Sequence, residues 1–262
     1  MSISEFSGRA LDYEKYRIKY SNYLLSDIYR LAKIDKSSVI ADIGAGTGLS
    51  TEMFIKQGHK VYLVEPNKDM FDIAEQKFRF VDECVLLNNC AEKMKVIDNQ
   101  IDLITCMQSF HFFNNESAKK EFKRVLKHKG RILLLWHTFM QESLGFGYEF
   151  INLLKKYAKN NSGLKEPNFI KNQNLDNFFG ARKYQEYKSS MQQHFTIDEL
   201  IGLAFSLSYI NTMRGELDGE LLTKEIKDLF ETYKIDNTVK LGFKRWIYIS
   251  EAIQKDCVYR SV

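Results

Sequence analysis

The chain has 262 residues and a formal net charge of +4, from 38 basic and 34 acidic side chains that are spread along its length. This small positive excess is too weak to indicate a nucleic-acid partner, and no apolar stretch approaches the roughly twenty residues that a membrane span needs. With 44% hydrophobic residues the chain can bury a sizeable core, so the composition predicts one globular α/β domain.

Cysteine usage and the polar opening of the chain predict its compartment. The four cysteines form neither a C-x-x-C pair nor the spacing of a Cys/His metal site. We therefore expect reduced thiols and no bound metal. The opening MSISEFSGRA lacks the apolar core of a signal peptide. These features together predict a cytoplasmic protein.

A glycine-rich turn follows the first helical pattern of the chain, in the segment VIADIGAGTGLS. The β-branched run that ends at Asp42 predicts a buried parallel strand, and a helix is expected directly after the turn. Between them, Gly44, Gly46 and Gly48 permit positive φ and leave bare backbone against which a ligand can lie. A tight turn without a ligand would use the same glycines.

The spacing of these glycines bears on which ligand the turn would hold. Dinucleotide sites use G-x-G-x-x-G, with a pyrophosphate at the helix N-terminus. Counted from Gly44 and Gly46, the third glycine of that motif would fall on Leu49, so the dinucleotide fingerprint fails. A nucleotide-linked oxidoreductase therefore remains only as an alternative.

A second strand, predicted from Lys60 to Val64, ends in Glu65, twenty-one positions after Gly44. An acid at the tip of the second strand of a doubly wound sheet can accept hydrogen bonds from both ribose hydroxyls. The alternative is a solvated charge before the turn at Pro66 and Asn67. The spacing favours nucleoside recognition.

Polar and aromatic residues follow the next two predicted strands. Cys90-Ala91-Glu92 comes after the third strand and Gln108 to Phe113 after the fourth. Ligands of open α/β sheets bind beyond the carboxyl ends of the strands, so we expect these loops to border the same crevice as the glycines.

The remaining elements are predicted from periodicity and turn residues. Predicted helices cover 22–32, 49–57, 68–80, 116–127, 197–208 and 221–233, and residues 145–180 have a helical pattern. Predicted strands cover 84–87, 101–106, 131–136, 183–194 and 239–249, the last of them pairing antiparallel at the sheet edge.

The order of several motifs resembles that of a known family. The D-x-G-x-G-x-G turn is followed by Ala91-Glu92, by His111-Phe112-Phe113, by Arg124-Val125-Leu126, and by a strand ending in Trp136-His137. This order resembles class I S-adenosylmethionine-dependent methyltransferases of the type 11 subgroup, similar to trans-aconitate methyltransferases and other small-molecule methyltransferases. The resemblance is strong over residues 38–137 and looser elsewhere.

The resemblance extends to both ends of the chain. Tyr13, Arg17 and Tyr20 match an N-terminal motif of the family, in which Ile18 and Ser21 replace two prolines. Residues 195–210 are similar to a segment of the cap region.

The fold that the resemblance implies is a Rossmann-like, doubly wound, seven-stranded, mostly parallel sheet with an antiparallel edge strand and a helical cap over the active site. The chain would be one methyltransferase domain. Within it we expect lid helices in 1–37, a cofactor-binding core in 38–137, cap helices and a strand in 138–237, and a final strand and tail in 238–262.

S-adenosylmethionine is the cofactor that the resemblance implies, with S-adenosylhomocysteine as product. The glycine turn would border its methionine part, the acid its ribose, and the residues after the third strand its adenine. The cofactor-binding positions so implied are Asp42, Gly44, Ala45, Gly46, Gly48, Glu65, Pro66, Met70, Cys90, Ala91, Glu92, Gln108 and Ser109.

Methyl transfer from a sulfonium is an in-line displacement that depends mostly on alignment and exclusion of water. Aromatic side chains suit a dry lid that tolerates a cation. The candidates for this lid and the substrate wall are Tyr13, Tyr16, Tyr20, Phe110, Phe112 and Phe113, together with Arg17. Each aromatic could instead fill the core. Arg17 could bind the methionine carboxylate, an anionic substrate or a surface carboxylate.

Two histidines at strand ends are candidates for a catalytic base. His111 follows the fourth strand and His137 ends the fifth, whereas His59, His128 and His194 are expected at the surface. A neutral imidazole could accept a proton from a hydroxyl or amine of the acceptor. Either ring could instead orient a ligand or satisfy a hydrogen bond. The partner we expect is a small molecule whose identity, like the oligomeric state, the sequence does not indicate. A non-catalytic protein that binds the cofactor stays open.

Overall fold

A computed structural model of the chain describes residues 6–113, 115–159, 173–180 and 183–254. Its helices are α1 (Ala10–Tyr16), α2 (Asn22–Ala32), α3 (Leu49–Ile55), α4 (Lys68–Phe78), α5 (Asn115–Val125), α6 (Phe146–Lys156), α7 (Gln173–Phe179), α8 (Ile197–Ser206) and α9 (Leu217–Tyr233). Its strands are β1 (Ile40–Ile43), β2 (Val61–Val64), β3 (Cys84–Leu87), β4 (Ile101–Met107), β5 (Leu126–Phe139), β6 (Tyr184–Phe195) and β7 (Val239–Ser250).

The seven strands form one sheet in the order β3-β2-β1-β4-β5-β7-β6. The pairings among β1 to β5 are all parallel, and β7 is antiparallel to both β5 and β6. The predicted doubly wound, mostly parallel sheet with antiparallel pairing at one edge is confirmed. The edge itself is taken by β6, because β7 inserts between β5 and β6.

The short central strands are apolar because both of their faces are buried. All four residues of β1 are buried, as is expected of a parallel strand covered by helices on both faces. One face packs against α5 and α7 through Phe122 and Phe178, and the other packs against α2 and α3 through Ile28 and Phe54. The carboxyl ends of β1, β2 and β4 therefore meet at one edge of a rigid scaffold.

Helices α6, α8 and α9 form a separate hydrophobic cluster with the ends of β5, β6 and β7. It includes Phe139 and Phe243, paired across the two strands, and Phe150 and Phe205 from the helices. The helical pattern predicted over 145–180 is found at both ends, in α6 and α7, and its middle lies outside the described residues. Among the described residues no helix is long and apolar enough to cross a membrane.

Lid helices were expected in 1–37, but the bounds of α1 were not predicted, because its stability depends on tertiary contacts. Arg9, just before it, donates to the carbonyl of Phe205 in α8 at 2.8 Å and to those of Ile210 and Thr212 after α8 at 2.6 and 3.2 Å. The Tyr16 ring packs so closely on α8 that a Cβ at Gly202 would lie 2.0 Å from it.

The other side of α1 contacts α4. Glu14 pairs with Lys77 at 2.8 Å, and the Gly8 N–H donates to Asp69 at 3.1 Å. Helix α1 therefore connects the hydrophobic cluster of α6, α8 and α9 with α4, which packs beside the glycine turn. Ser21, which replaces a family proline, caps α2 by accepting the Leu24 N–H.

Candidate active site

The glycine turn after β1 uses its three glycines for different reasons. All three have positive φ, at +63° for Gly44, +60° for Gly46 and +83° for Gly48. A Cβ on Gly44 would lie 2.5 Å from the Ser109 Cβ, and one on Gly48 would lie 2.4 Å from the Phe78 ring. A Cβ on Gly46 would instead point towards the Tyr13 ring, 3.6 Å away. Gly44 and Gly48 thus permit close packing, and Gly46 keeps a cleft open.

Asp42 lies beneath this turn and is fully buried. Its carboxylate accepts hydrogen bonds from the hydroxyls of Ser50, Thr51 and Thr105, at 2.6, 2.8 and 2.9 Å. Burial raises the pKa of Asp42, and these three donors oppose the rise. Asp42 therefore ties β1 to α3 and β4.

Glu65 lies at the tip of β2 and is only 7% exposed, so it is not a solvated charge. One carboxylate oxygen accepts the Gly46 N–H and the other accepts the Asn67 N–H, both at 2.8 Å. Burial raises the pKa of Glu65 to about 7 against the effect of these two bonds. The acid and the glycine turn are thus parts of one hydrogen-bonded unit.

A cleft lies between the ends of β1, β2, β3 and β4. Its volume, including the part that is open to solvent, is about 700 Å³. The residues that line it are Phe6, Tyr13, Gly44, Gly46, Glu65, Pro66, Asn67, Met70, Cys90, Ala91, Glu92, Gln108, Ser109, Phe112 and Phe113. Three predicted cofactor positions, Asp42, Ala45 and Gly48, are not among these residues. Asp42 supports the turn from beneath, and Ala45 and Gly48 pack against α4. Phe6 and Asn67 were missed. Asn67 caps α4, which a turn-and-helix pattern could have indicated.

The turn after β4 is held in an uncommon conformation. Gln108 has φ of +65°, which non-glycine residues rarely adopt and which recurs at functional sites. Its N–H donates to the Leu135 carbonyl at 2.8 Å, and its side-chain amide donates to the His137 carbonyl at 3.2 Å. Ser109 donates to the Ile43 carbonyl at 2.5 Å. This turn therefore joins the ends of β1, β4 and β5 at the cleft.

Four aromatic side chains line the cleft: Phe6, Tyr13, Phe112 and Phe113. Phe6 packs edge-to-face against Tyr13 and Phe112, with ring centroids 5.8 and 5.6 Å apart. The Arg17 guanidinium lies 4.9 Å from the Tyr13 ring centroid. Of the residues predicted for the lid, Tyr13, Phe112 and Phe113 thus lie at the cleft.

The other predicted lid residues lie elsewhere. Phe110 is a core residue, 2% exposed and packed against Phe178 and Trp136, because the 3-10 turn at 110–112 directs it into the sheet face. Tyr16 packs on α8. Tyr20 lies behind the cleft, with its ring centroid 5.9 Å from that of His137.

The two candidate bases are partly buried, and neither is among the cleft-lining residues. The Trp136 indole N–H faces His111 Nδ1 at 3.4 Å, and burial, aided by Arg17, lowers the pKa of His111 to about 4. Arg245 donates from Nε to His137 Nε2 at 3.1 Å, and burial, Arg245 and Arg17 lower the pKa of His137 to about 3. Both imidazoles are therefore neutral near pH 7, and the Arg245 bond uses the His137 lone pair.

His59, which we expected at the surface, is fully buried. Its ring contacts the Tyr29 hydroxyl through Nε2, and Nδ1 lies 2.8 Å from the Ser38 carbonyl oxygen. The expectation was wrong because the turn before β2 folds back onto α2.

Comparison with known proteins agrees with this geometry. A methyltransferase domain family matches residues 41–134, from β1 to β5. Two Schizosaccharomyces pombe proteins, both described as uncharacterized, are similar over most of the chain. The first, a methyltransferase-like protein, is 29% identical over 96% of both chains. The second, a methyltransferase, is 27% identical over 91% of this chain and 92% of its own.

A solved structure has the same fold. The YcgJ protein of Bacillus subtilis superposes with a TM-score of 0.56 at 19% identity, over 90% of this chain and all of its own. The matched domain and the names of these relatives show that the chain is similar to methyltransferases, and the match spans the strands that carry the glycine turn and its acid.

Proposed function

We propose that this chain transfers the methyl group of S-adenosylmethionine to a small-molecule acceptor by in-line displacement. The observation that carries the proposal is the buried Glu65 carboxylate, hydrogen-bonded to Gly46 in the cleft that Cys90, Ala91 and Glu92 also line. Similarity to a methyltransferase domain over residues 41–134 favours this reaction over the nucleotide-linked oxidoreductase alternative.

The cleft residues fit the three parts of the cofactor. Bare backbone at Gly44 and Gly46 suits the methionine part, and Glu65 suits the ribose hydroxyls. Each Glu65 oxygen already accepts one N–H, and a carboxylate has about four lone-pair sites, so acceptor capacity remains for a diol. The adenine would lie towards Met70 and Cys90.

The bound cofactor supplies an activated methyl group, so the protein's part is alignment and exclusion of water. Holding the acceptor atom at roughly 3 to 3.5 Å from the methyl can supply on the order of 7 kcal/mol. Because one ring nitrogen of His111 and of His137 already accepts an N–H, from Trp136 and Arg245 respectively, we assign both to positioning the wall beside the cleft.

A small acceptor is supported by the aromatic lid, because Phe6, Tyr13 and Phe112 leave a cleft suited to a compact ligand. A cytoplasmic location, the absence of a nucleic-acid partner and the division of one domain into lid, core, cap and tail stay predictions. Mass-spectrometric detection of methyl transfer from labelled cofactor into a metabolite extract tests catalysis, and its absence with tight cofactor binding would indicate a non-catalytic protein.

The substitution Gly46→Ala tests the cofactor site. The added Cβ would enter the cleft, and the residue would be held at φ of +60°, so we expect S-adenosylhomocysteine affinity to fall at least about ten-fold by titration calorimetry. Gly58→Ala is the matched control, with φ of +84° and open space around its Cβ. Equal affinities in the two variants would contradict the proposed site.

The lid is tested at Tyr13. Tyr13→Ala removes an apolar wall from the cleft and is expected to weaken S-adenosylhomocysteine binding by about ten-fold. Tyr13→Phe keeps the ring and should bind within about two-fold of wild type. Tyr148→Ala, on the exposed side of α6, is the control. If Tyr13→Ala binds as tightly as wild type, the ring does not cover the cofactor.

A further inference from the structure

The two outer strands of the sheet differ in how well their edges are protected. β3, at one edge, has four residues, whereas β6, at the other, has twelve and pairs with β7 in one continuous register. Proteins usually blunt an edge strand by keeping it short, by a bulge or by proline, and β6 has none of these. Among the described residues only β7 forms main-chain hydrogen bonds with β6, so its outer edge is available to another strand.

The outer edge of β6 presents a defined set of main-chain groups. Lys183 and Glu251 continue the register of β6 and β7, and the Glu251 N–H donates to the Lys183 carbonyl at 2.9 Å. In an antiparallel pair, residues that bond to the partner strand alternate with residues whose N–H and C=O point away from it. The odd-numbered residues of β6 therefore bond to β7, and the even-numbered ones direct their N–H and C=O outwards.

One acidic and one lysine side chain lie among these outward-bonding residues. Glu186 and Lys188 are two positions apart, so both lie on the same face of the sheet. Their charged ends are 3.0 Å apart, and the side chains are 37% and 56% exposed. Tyr187, between them, lies on the other face and is partly buried. The charges of β6 are therefore opposite on the two sides of Tyr187.

A second copy of β6 matches this charge pattern in one antiparallel register. With a two-fold axis through Tyr187, each Glu186 lies opposite the Lys188 of the second copy, in a pair that exchanges both main-chain hydrogen bonds. The two Tyr187 side chains then face each other at the closer, non-bonded spacing. An axis through Glu186 or through Lys188 would instead place like charges opposite each other, which is unfavourable.

We propose that two copies of this chain associate through β6 in the register centred on Tyr187, so that the sheet continues from one copy into the other. Main-chain hydrogen bonds along the strand edge would supply the affinity, and the facing charges would select the register. β5 and β7 separate β6 from the strands whose ends form the cleft, so this inference does not depend on the proposed function.

Sedimentation velocity over a concentration series tests the interface. We expect wild type to reach the mass of two chains. Glu186→Lys would place lysines opposite each other across the axis, and Lys188→Glu would place glutamates there. Each substitution should therefore raise the dissociation constant of the dimer at least about ten-fold. Glu83→Lys, at an exposed position just before β3 on the opposite edge, is the control and should associate as wild type does.

Exchange of the charges tests the register. The double variant Glu186→Lys/Lys188→Glu restores opposite charges across the axis and should associate about as tightly as wild type. An equimolar mixture of the two single variants, one of them carrying a fluorescent label, should form mixed dimers, because lysines of one chain then face glutamates of the other.

Three results would overturn the proposal. Wild type that stays monomeric excludes the interface, as would happen if residues of this chain outside the described ranges covered the edge. Single variants that associate as tightly as wild type would place the interface elsewhere. Failure of both the double variant and the mixture to recover association would exclude the register centred on Tyr187. Thermal unfolding verifies that each variant is folded. Where one is not, Ser190→Pro removes an outward N–H without touching the pairing with β7 and should also weaken the dimer.

Discussion

Asp42→Ala is expected to lower the free energy of unfolding by about 3 to 5 kcal/mol. The substitution would leave the hydroxyls of Ser50, Thr51 and Thr105 without their acceptor in a fully buried place, and it would open a cavity under the glycine turn. Urea unfolding followed by circular dichroism measures the change.

Asp228→Ala is the control for this loss, because Asp228 is an exposed carboxylate in the middle of α9. A surface change of this kind is expected to stay within about 0.5 kcal/mol of wild type. If the two variants unfold at the same urea concentration, the Asp42 carboxylate does not hold β1, α3 and β4 together.

Glu65→Gln is expected to weaken S-adenosylhomocysteine binding by about ten- to a hundred-fold at pH 8, since an amide offers the ribose one acceptor oxygen without charge. The affinity of the wild-type chain for S-adenosylhomocysteine is expected to rise with pH. Because burial raises the pKa of Glu65 to about 7 in the free chain, protonation increasingly removes the acceptor below that pH. Affinity should therefore be greatest above about pH 8 and fall by up to about ten-fold per pH unit below 7.

Calorimetry between about pH 5.5 and 8.5 follows this profile. His111 and His137, with pKa values near 4 and 3, do not titrate in that range. Glu75→Gln, an exposed position on α4, should retain the wild-type profile, and Glu65→Gln should be flat. A wild-type affinity that is independent of pH would mean that Glu65 does not bind the ribose.

Local spacing is enough to predict much of the cleft. Gly46, Glu65 and Ala91 each follow a strand, and parallel strands bring their carboxyl ends to the same edge, so short-range patterns predicted that they would converge. The same reasoning did not separate the cleft-lining residues from Asp42 and Gly48, because a residue beside a cleft-lining one can face the opposite side of the chain and pack under the turn.

What the sequence could not predict depends on long-range contacts. Helix α1 has only seven residues, too few to be stable alone, and it forms against α8 and α4. The contact of Arg245 with His137 joins residues 108 positions apart, and no local pattern indicates it. Phe110 and Phe112 differ by two positions, yet one fills the core and the other lines the cleft.

Because β7 lies between β5 and β6, the sheet can be completed only late in the synthesis of the chain. β7 is made after the other six strands, and its twelve residues complete the ladders on both sides. Until the ribosome has released this segment, β5 and β6 present open edges that invite association with other chains. Synthesis therefore ends with the strand that completes the sheet, and a nascent chain halted before Val239 would leave the facing edges of β5 and β6 unpaired.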